Sequence, residues 1–313
     1  MSHQRDPILV TGAAAGQVGG LGRKITELLL AKGHRVRALV HREDSRAEEL
    51  RRLGADVVVG DLQQVGDVVR AMRGCRRVYF GFSASTDYLR ATAIAATVAR
   101  EQGNNLEVFV NMSQMTVSQM STSAVTDSKQ QVEHWLAEEM LEWSGLPVVT
   151  IRPTVFLENP LFLSIAAASI RATSTIRLPF GQGKTSPIFA GRDVAEVVAK
   201  ILDNPTPHIG KIYELTGPAS LDMNGIAAEF SKALGRKITY VDIPKEEFLA
   251  GLHQVGLPEH VEQHLSVMAS LHTANRYDRS TDTVAAILGR PPSTIAEFVS
   301  EHSQNFTPTI HTA

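Results

Sequence analysis

The 313-residue sequence predicts an α/β fold, a doubly wound parallel sheet followed by a smaller C-terminal α+β cap. Three observations carry this. Short apolar, β-branched runs alternate with helical patterns, as strands covered on both faces do. The first run, residues 8–11, enters a glycine-rich turn that opens directly into an amphipathic helix. The small, polar and charged residues suited to holding a ligand fall at the carboxyl ends of successive runs, where such sheets bind their ligands.

The first turn contains Gly12 and then Gly16, Gly19 and Gly22 in the spacing G-x-x-G-x-x-G. Glycine lets the backbone turn sharply and approach a pyrophosphate with no Cβ in the way. The following helix start offers free N–H groups and the positive end of its dipole. With Gln17 and Val18 inside the turn, these glycines are the candidate pyrophosphate contacts of a Rossmann-type dinucleotide site. The first helix stops at Gly33.

The second strand, residues 35–42, decides the cofactor. An NAD site carries an acid at its end, accepting from the ribose 2′-OH. Here Val40 is followed by His41 and Arg42, cations suited to a 2′-phosphate, so NADP(H) is preferred. Glu43 and Asp44 come next and keep NAD(H) open. A charged helix covers 45–53. The third strand and its exit, 54–62, place Asp61 to accept from the adenine amino group and Leu62 to pack on the ring. Asp61 is alternatively a cap for the helix expected over 65–72.

The fourth strand, 77–83, ends in Gly81, Phe82 and Ser83, small enough on either side of Phe82 for a cofactor to pass. A helix covers 86–101, and the fifth strand, 107–113, ends in Met112 and Ser113. Residues 113–128, rich in Ser, Thr, Gln and Met, are a pocket wall or a surface loop. A helix spans about 127–143 and a sixth strand 146–153.

After Pro153 the pattern changes. An apolar helix runs to about residue 171 and a short strand covers 175–180. The run Gly181–Thr185 suggests a phosphate loop, but Leu178 stands where its first glycine belongs and no helix follows at once. A helix capped near Asp193 and a strand at 211–217 return to the sheet. The domains are therefore residues 1–153 plus about 188–217, which bind dinucleotide, and 154–187 plus 218–313, the substrate or cap region. His260 and His264, four apart, lack a third ligand and are read as a solvated helix face, with no metal site.

A net charge of −2 gives no global field for nucleic acid or an anionic membrane. One cysteine, Cys75, excludes an internal disulfide framework and a cysteine-rich metal site. The polar N-terminus carries no apolar signal region and no run reaches membrane-spanning length, so a cytoplasmic location is expected.

Several pieces together resemble the NmrA-like branch of the atypical short-chain dehydrogenase/reductases: Val10-Thr11-Gly12 with its turn, Val36-Arg37-Ala38-Leu39-Val40, Gly60-Asp61-Leu62, Phe109-Val110-Asn111-Met112-Ser113, Ile151-Arg152-Pro153 and Gly289-Arg290-Pro291-Pro292. Against the family's T-G-A-T-G-x-x-G, the turn is longer by about three residues, so either Gly12 or Gly16 takes the part of the first glycine. The resemblance implies a Tyr-x-x-x-Lys pair on one helix. Lys129 stands at the lysine, but Val125, with no proton to give, stands at the tyrosine. Ser113 matches the family's serine.

Two functions follow from the resemblance. One is NADPH-dependent hydride transfer to a quinone, an enone or a similar apolar carbonyl acceptor. Lys129 would hold the nicotinamide ribose or polarise the acceptor, and Ser113 would donate a hydrogen bond. The other is a non-catalytic redox sensor that binds NAD(P) and a protein partner. An NAD-dependent epimerase or dehydratase is disfavoured by the missing tyrosine. The expected partner is a small apolar substrate, and the helix with Trp135 and Trp143 leaves a homodimer open.

Overall fold

The computed structural model describes residues 6–14, 20–82, 85–101 and 105–307. The chain forms two compact units, one from the chain up to Pro153 together with Val194–Glu214, the other from Thr154–Asp193 and from Leu215 onward. Residues 188–193 and 215–217 thus group with the second unit.

The strands are β1 Ile8–Thr11, β2 Val36–Val40, β3 Asp56–Val59, β4 Arg77–Phe80, β5 Val108–Met112, β6 Val148–Pro153, β7 Thr175–Leu178, β8 Ile212–Leu215 and β9 Thr239–Asp242. Seven form one sheet in the order β3-β2-β1-β4-β5-β6-β8, and β7 pairs with β9 in a separate parallel pair. From β3 to β6 the neighbours are parallel, with Ile8 level with both Val36 and Arg77. Every residue of β1 and β5 is buried, which is why these strands read as continuous apolar runs rather than alternating ones. The order reverses between β1 and β4, the place where open parallel sheets form their ligand crevice.

The helices are α1 Leu21–Ala31, α2 Ser45–Arg52, α3 Val65–Met72, α4 Tyr88–Glu101, α5 Lys129–Trp143, α6 Ala167–Thr173, α7 Ala195–Asp203, α8 Met223–Leu234, α9 Lys245–Val255, α10 Glu259–Thr273, α11 Thr283–Leu288 and α12 Ile295–Glu301. In the first unit Leu9, Phe80, Tyr88, Phe109, Ala95 and Leu141 form part of one core, with the Phe80 and Phe109 rings stacked 5.7 Å apart. The second unit has its own core, including Phe162, Phe180, Phe230, Phe298 and Phe306.

Three expectations are corrected. Asp193 caps no helix. A π-helical turn, Ala190–Val194, precedes α7, and the fully buried Asp193 carboxylate accepts from the Ser293 N–H (2.8 Å), the Ser293 hydroxyl (3.0 Å) and Arg290 Nη1 (2.8 Å). The apolar helix ending near 171 is likewise part π, over Leu161–Ala166, and part α. His260 and His264 are half-buried on α10 rather than solvated. Burial, with His260 nearby, pushes the His264 imidazole down to about 4. Among the described residues no three His, Cys, Asp or Glu gather as metal ligands, and no helix is long and apolar enough to cross a membrane.

Candidate dinucleotide site

The site is built at the reversal of strand order. The buried Thr11, last residue of β1, donates its hydroxyl to the Gly81 carbonyl (2.8 Å) and accepts the Gly81 N–H (2.9 Å). The next residue, Gly12, has φ +64°, and a Cβ there would lie 2.9 Å from the Gly81 oxygen. Gly22, in the first turn of α1, sits so close that its Cβ would lie 2.7 Å from the Gly12 oxygen. Gly22 therefore lets the helix reach the strand exit and packs behind Gly12. Gly16, Gln17, Val18 and Gly19 lie outside the described residues.

A cavity of about 400 Å³ opens from this point. Gly12, Ala14, Gly81 and Phe82 line it at the reversal. Leu39, Val40, His41, Arg42 and Arg46 line it beyond β2, and Gly60, Asp61, Leu62 and Gln63 beyond β3. Gly12 leaves no room for a Cβ against the Gly81 oxygen, and both glycines line the cavity, so a nucleotide backbone can pass close to the main chain there.

The charges beyond β2 are sorted by partner. Both Glu43 oxygens are bound by Arg51, at 2.5 and 2.8 Å. Asp44 caps α2, its Oδ1 accepting from the N–H of Arg46 (2.9 Å) and Ala47 (3.4 Å). Its Oδ2 accepts from Arg46 Nε (3.0 Å) and Nη2 (2.5 Å). Bonding to Arg51 and to Arg46 holds these two carboxyls below the usual carboxylate range. Neither acid is among the cavity-lining residues, whereas His41, Arg42 and Arg46 all are.

Beyond β3, Asp61 Oδ1 accepts from the Gln63 N–H (2.9 Å), and the Asp61 N–H donates to Asp67 Oδ2 (2.8 Å). Asp61 is thus part of the turn and does not cap α3, whose first flanking residue is Gln64. Ser83 lies outside the described residues. The Ser85 N–H donates to Gln130 Oε1 (2.8 Å) and the Leu89 N–H to Glu133 Oε2 (2.9 Å), so α5 holds the loop that follows β4.

The expected catalytic pair is arranged differently. Ser113 is 5% exposed and its hydroxyl donates to Glu138 Oε1. Arg152 binds the same carboxylate through Nε (3.0 Å) and Nη2 (2.6 Å) on Oε2. The donor role expected of Ser113 is thereby occupied by Glu138, with a fork of Arg152 behind it. Lys129 is exposed as the first residue of α5, after the capping Ser128. Val125, 50% exposed, precedes that helix, so positions 125 and 129 do not share it. Met112, Ser113 and Lys129 are not among the residues lining the cavity, and the Met112 carbonyl accepts from the Tyr88 hydroxyl (2.5 Å).

Sequence reasoning missed Ala14, Leu39, Val40, Gly60, Gln63 and, most consequentially, Arg46. Its signal was available: Arg46 lies four residues after Arg42, in the first turn of the helix leaving the site.

A glycine cradle at the reversal of a parallel sheet, with a nucleotide-sized cavity along the ends of β1, β2 and β3, defines a dinucleotide-binding protein of the Rossmann class. More particularly, the chain belongs to the NmrA-like family, whose model matches residues 4–299. It is 30% identical over 295 residues to the NAD(P)H azoreductase of Xenophilus azovorans, covering 93% of this chain and 97% of that one. The structure of an NADPH-dependent quinone oxidoreductase from Escherichia coli, complexed with NADPH, superposes with a TM-score of 0.80 at 23% identity, covering 95% and 99% of the two chains. That of NmrA, a negative transcriptional regulator in complex with NADP, gives 0.78 at 20% identity, covering 96% and 95%.

Proposed function

We propose that the protein is an NADPH-dependent reductase that delivers hydride to a quinone or similar apolar, electron-poor acceptor. One observation carries the cofactor choice: beyond β2 three basic side chains line the cavity, while both neighbouring acids are held by arginines. A 2′-phosphate meets His41, Arg42 and Arg46 there, whereas neither Glu43 nor Asp44 is offered to the 2′-OH of a bare ribose. The activities that name the azoreductase and the quinone oxidoreductase support the reaction class.

The reduced nicotinamide, when bound, supplies the hydride. The chain's residues bind and orient it: Gly12 and Gly81 let it approach the main chain, and Asp61 and Leu62 receive the adenine. Lys129 holds the nicotinamide ribose or polarises the acceptor. Val125 has no proton to give and the Ser113 proton is bound to Glu138, so the acceptor's reduced oxygen is protonated by water. This suits a quinone: two electrons arrive as one hydride, one proton comes from solvent, and a hydroquinone leaves.

The test is titration of the full chain with NADPH and NADH by protein fluorescence, followed by addition of a simple quinone while the absorbance of reduced cofactor is watched. Selective NADPH binding with steady oxidation is expected, and Arg42→Ala weakens NADPH far more than NADH. A second reading, a sensor without turnover, is favoured by the same locked Ser113 and by Val125. Tight binding with no oxidation across quinones, enones and aldehydes would establish that reading instead.

A further inference from the structure

We propose that Asp44 confers selectivity for a 2′-phosphate by positioning Arg46, so that an acid at the end of β2 favours NADPH. The inference rests on the NADPH reading above and adds the residue that organises the phosphate end of the cavity.

An acid at the end of the second strand ordinarily selects NAD, because it accepts from the 2′-OH and repels a phosphate. Asp44 is placed otherwise. It does not line the cavity, and both its oxygens are occupied: Oδ1 by the N–H groups of Arg46 and Ala47, Oδ2 by Arg46 Nε and Nη2. A guanidinium is planar and presents five donors. The edge formed by Nε and Nη2 is held by Asp44, which fixes the plane and leaves the remaining donors on the far side. Arg46 is among the residues lining the cavity with His41 and Arg42.

Arg46 also sits where a cation is locally unfavourable. It is the second residue of α2, close to the positive end of the helix dipole. An isolated arginine there would swing into solvent. The Asp44 carboxylate offsets the dipole and caps the same helix, so one side chain fixes both the helix start and the guanidinium. Glu43, the other acid of the loop, is held by Arg51.

Two accounts of Asp44 therefore predict opposite signs. If Asp44 acts only as a negative charge near the phosphate, removing the charge tightens NADPH. If it positions Arg46, removing the charge loosens NADPH. Asp44→Asn separates them, because asparagine caps a helix as well as aspartate does. Dissociation constants for NADPH and NADH are measured on the full chain for wild type, Asp44→Asn, Arg46→Ala and the double variant. The expected result is NADPH weakened about threefold to fivefold by Asp44→Asn, the worth of an exposed ion pair. Arg46→Ala weakens it by about tenfold or more, the worth of a charged hydrogen bond. The double variant is no weaker than Arg46→Ala alone, and NADH binding is unchanged throughout.

Tighter or unchanged NADPH binding by Asp44→Asn overturns the proposal, as does additivity in the double variant. A parallel loss of NADH marks general damage to the loop and overturns the selective role. Wild-type protein that binds NADPH no better than NADH refutes the underlying cofactor reading, a result distinct from all of these.

Discussion

Thr11 and Gly81, seventy residues apart, exchange two hydrogen bonds: the threonine hydroxyl donates to the glycine carbonyl and accepts the glycine N–H. This reciprocal pair ties the ends of β1 and β4 at the one place where the sheet reverses its order, and so sets the width of the crevice in which the cavity begins. Thr11→Val keeps the shape and removes both bonds, leaving the part-buried Gly81 N–H and carbonyl without these partners. It is expected to lower stability by about 2 kcal/mol, measured by denaturant unfolding, and to weaken both nucleotides equally, because the loss lies at the shared pyrophosphate end.

Gly22 is expected to tolerate no side chain. A Cβ would meet three backbone atoms of Gly12 and Ala13, at 2.7, 2.8 and 2.9 Å, and backbone cannot move aside as a side-chain tip can. Gly22→Ala should push α1 off the exit of β1 and abolish nucleotide binding in a fluorescence titration. Gly33→Ala serves as the control: its Cβ meets nothing within 4 Å, so only the strain of its φ of +79° remains, about 1 kcal/mol.

The Ser113–Glu138–Arg152 cluster separates a structural role from a catalytic one. Glu138→Gln breaks a buried ion pair and should cost about 3 kcal/mol in unfolding free energy. Ser113→Ala should cost only about 1 kcal/mol and reduce quinone turnover less than about tenfold. A larger loss of kcat at unchanged stability would show that Ser113 donates to the acceptor after all.

Lys129 tests the reverse case. It is exposed at the start of α5, so Lys129→Ala should leave the unfolding midpoint within about 0.5 kcal/mol of wild type. Turnover with a quinone should nevertheless fall by about tenfold or more if its ammonium holds the ribose or the acceptor.

Stability should depend on pH through Glu158. Burial pushes its carboxyl up to about 7, against the pull of the Ala190 and Gly191 N–H groups that it accepts at 3.0 and 2.6 Å, and the neighbouring Asp193 adds to the rise. A folded-state value above the unfolded one, 4.5, means that the folded chain holds this proton more tightly. That contribution is complete below about pH 4.5 and is lost as pH rises through 7. Unfolding free energy should therefore fall by about 1.4 kcal/mol between pH 6 and pH 9 from this group, and Glu158→Gln should flatten that fall.

Much of the framework was legible because it is written in local pattern. Strands β1 and β5 read as apolar runs since every residue of each is buried, and α3 falls where its helical pattern placed it, at Val65–Met72. His41, Arg42, Asp61 and Leu62, expected together from their places at strand ends, line one cavity. What local pattern left open was the fate of individual polar groups. Asp44 could be an NAD determinant, a cap or a clamp, and only the direction in which its oxygens point distinguishes these. Ser113 and Asp193 were assigned to a ligand and to a local cap, but each is held by a partner distant in sequence.

The sequence by itself determined the class of sheet and the glycine-rich turn that leaves its first strand. These follow from side-chain periodicity and from the absence of a Cβ, which are properties of each residue and its near neighbours. Only the tertiary structure decided which charges remain available to a ligand. A hydrogen bond is a matter of a few tenths of an ångström between groups as far apart in the chain as Asp193 and Ser293, and no local pattern carries that distance.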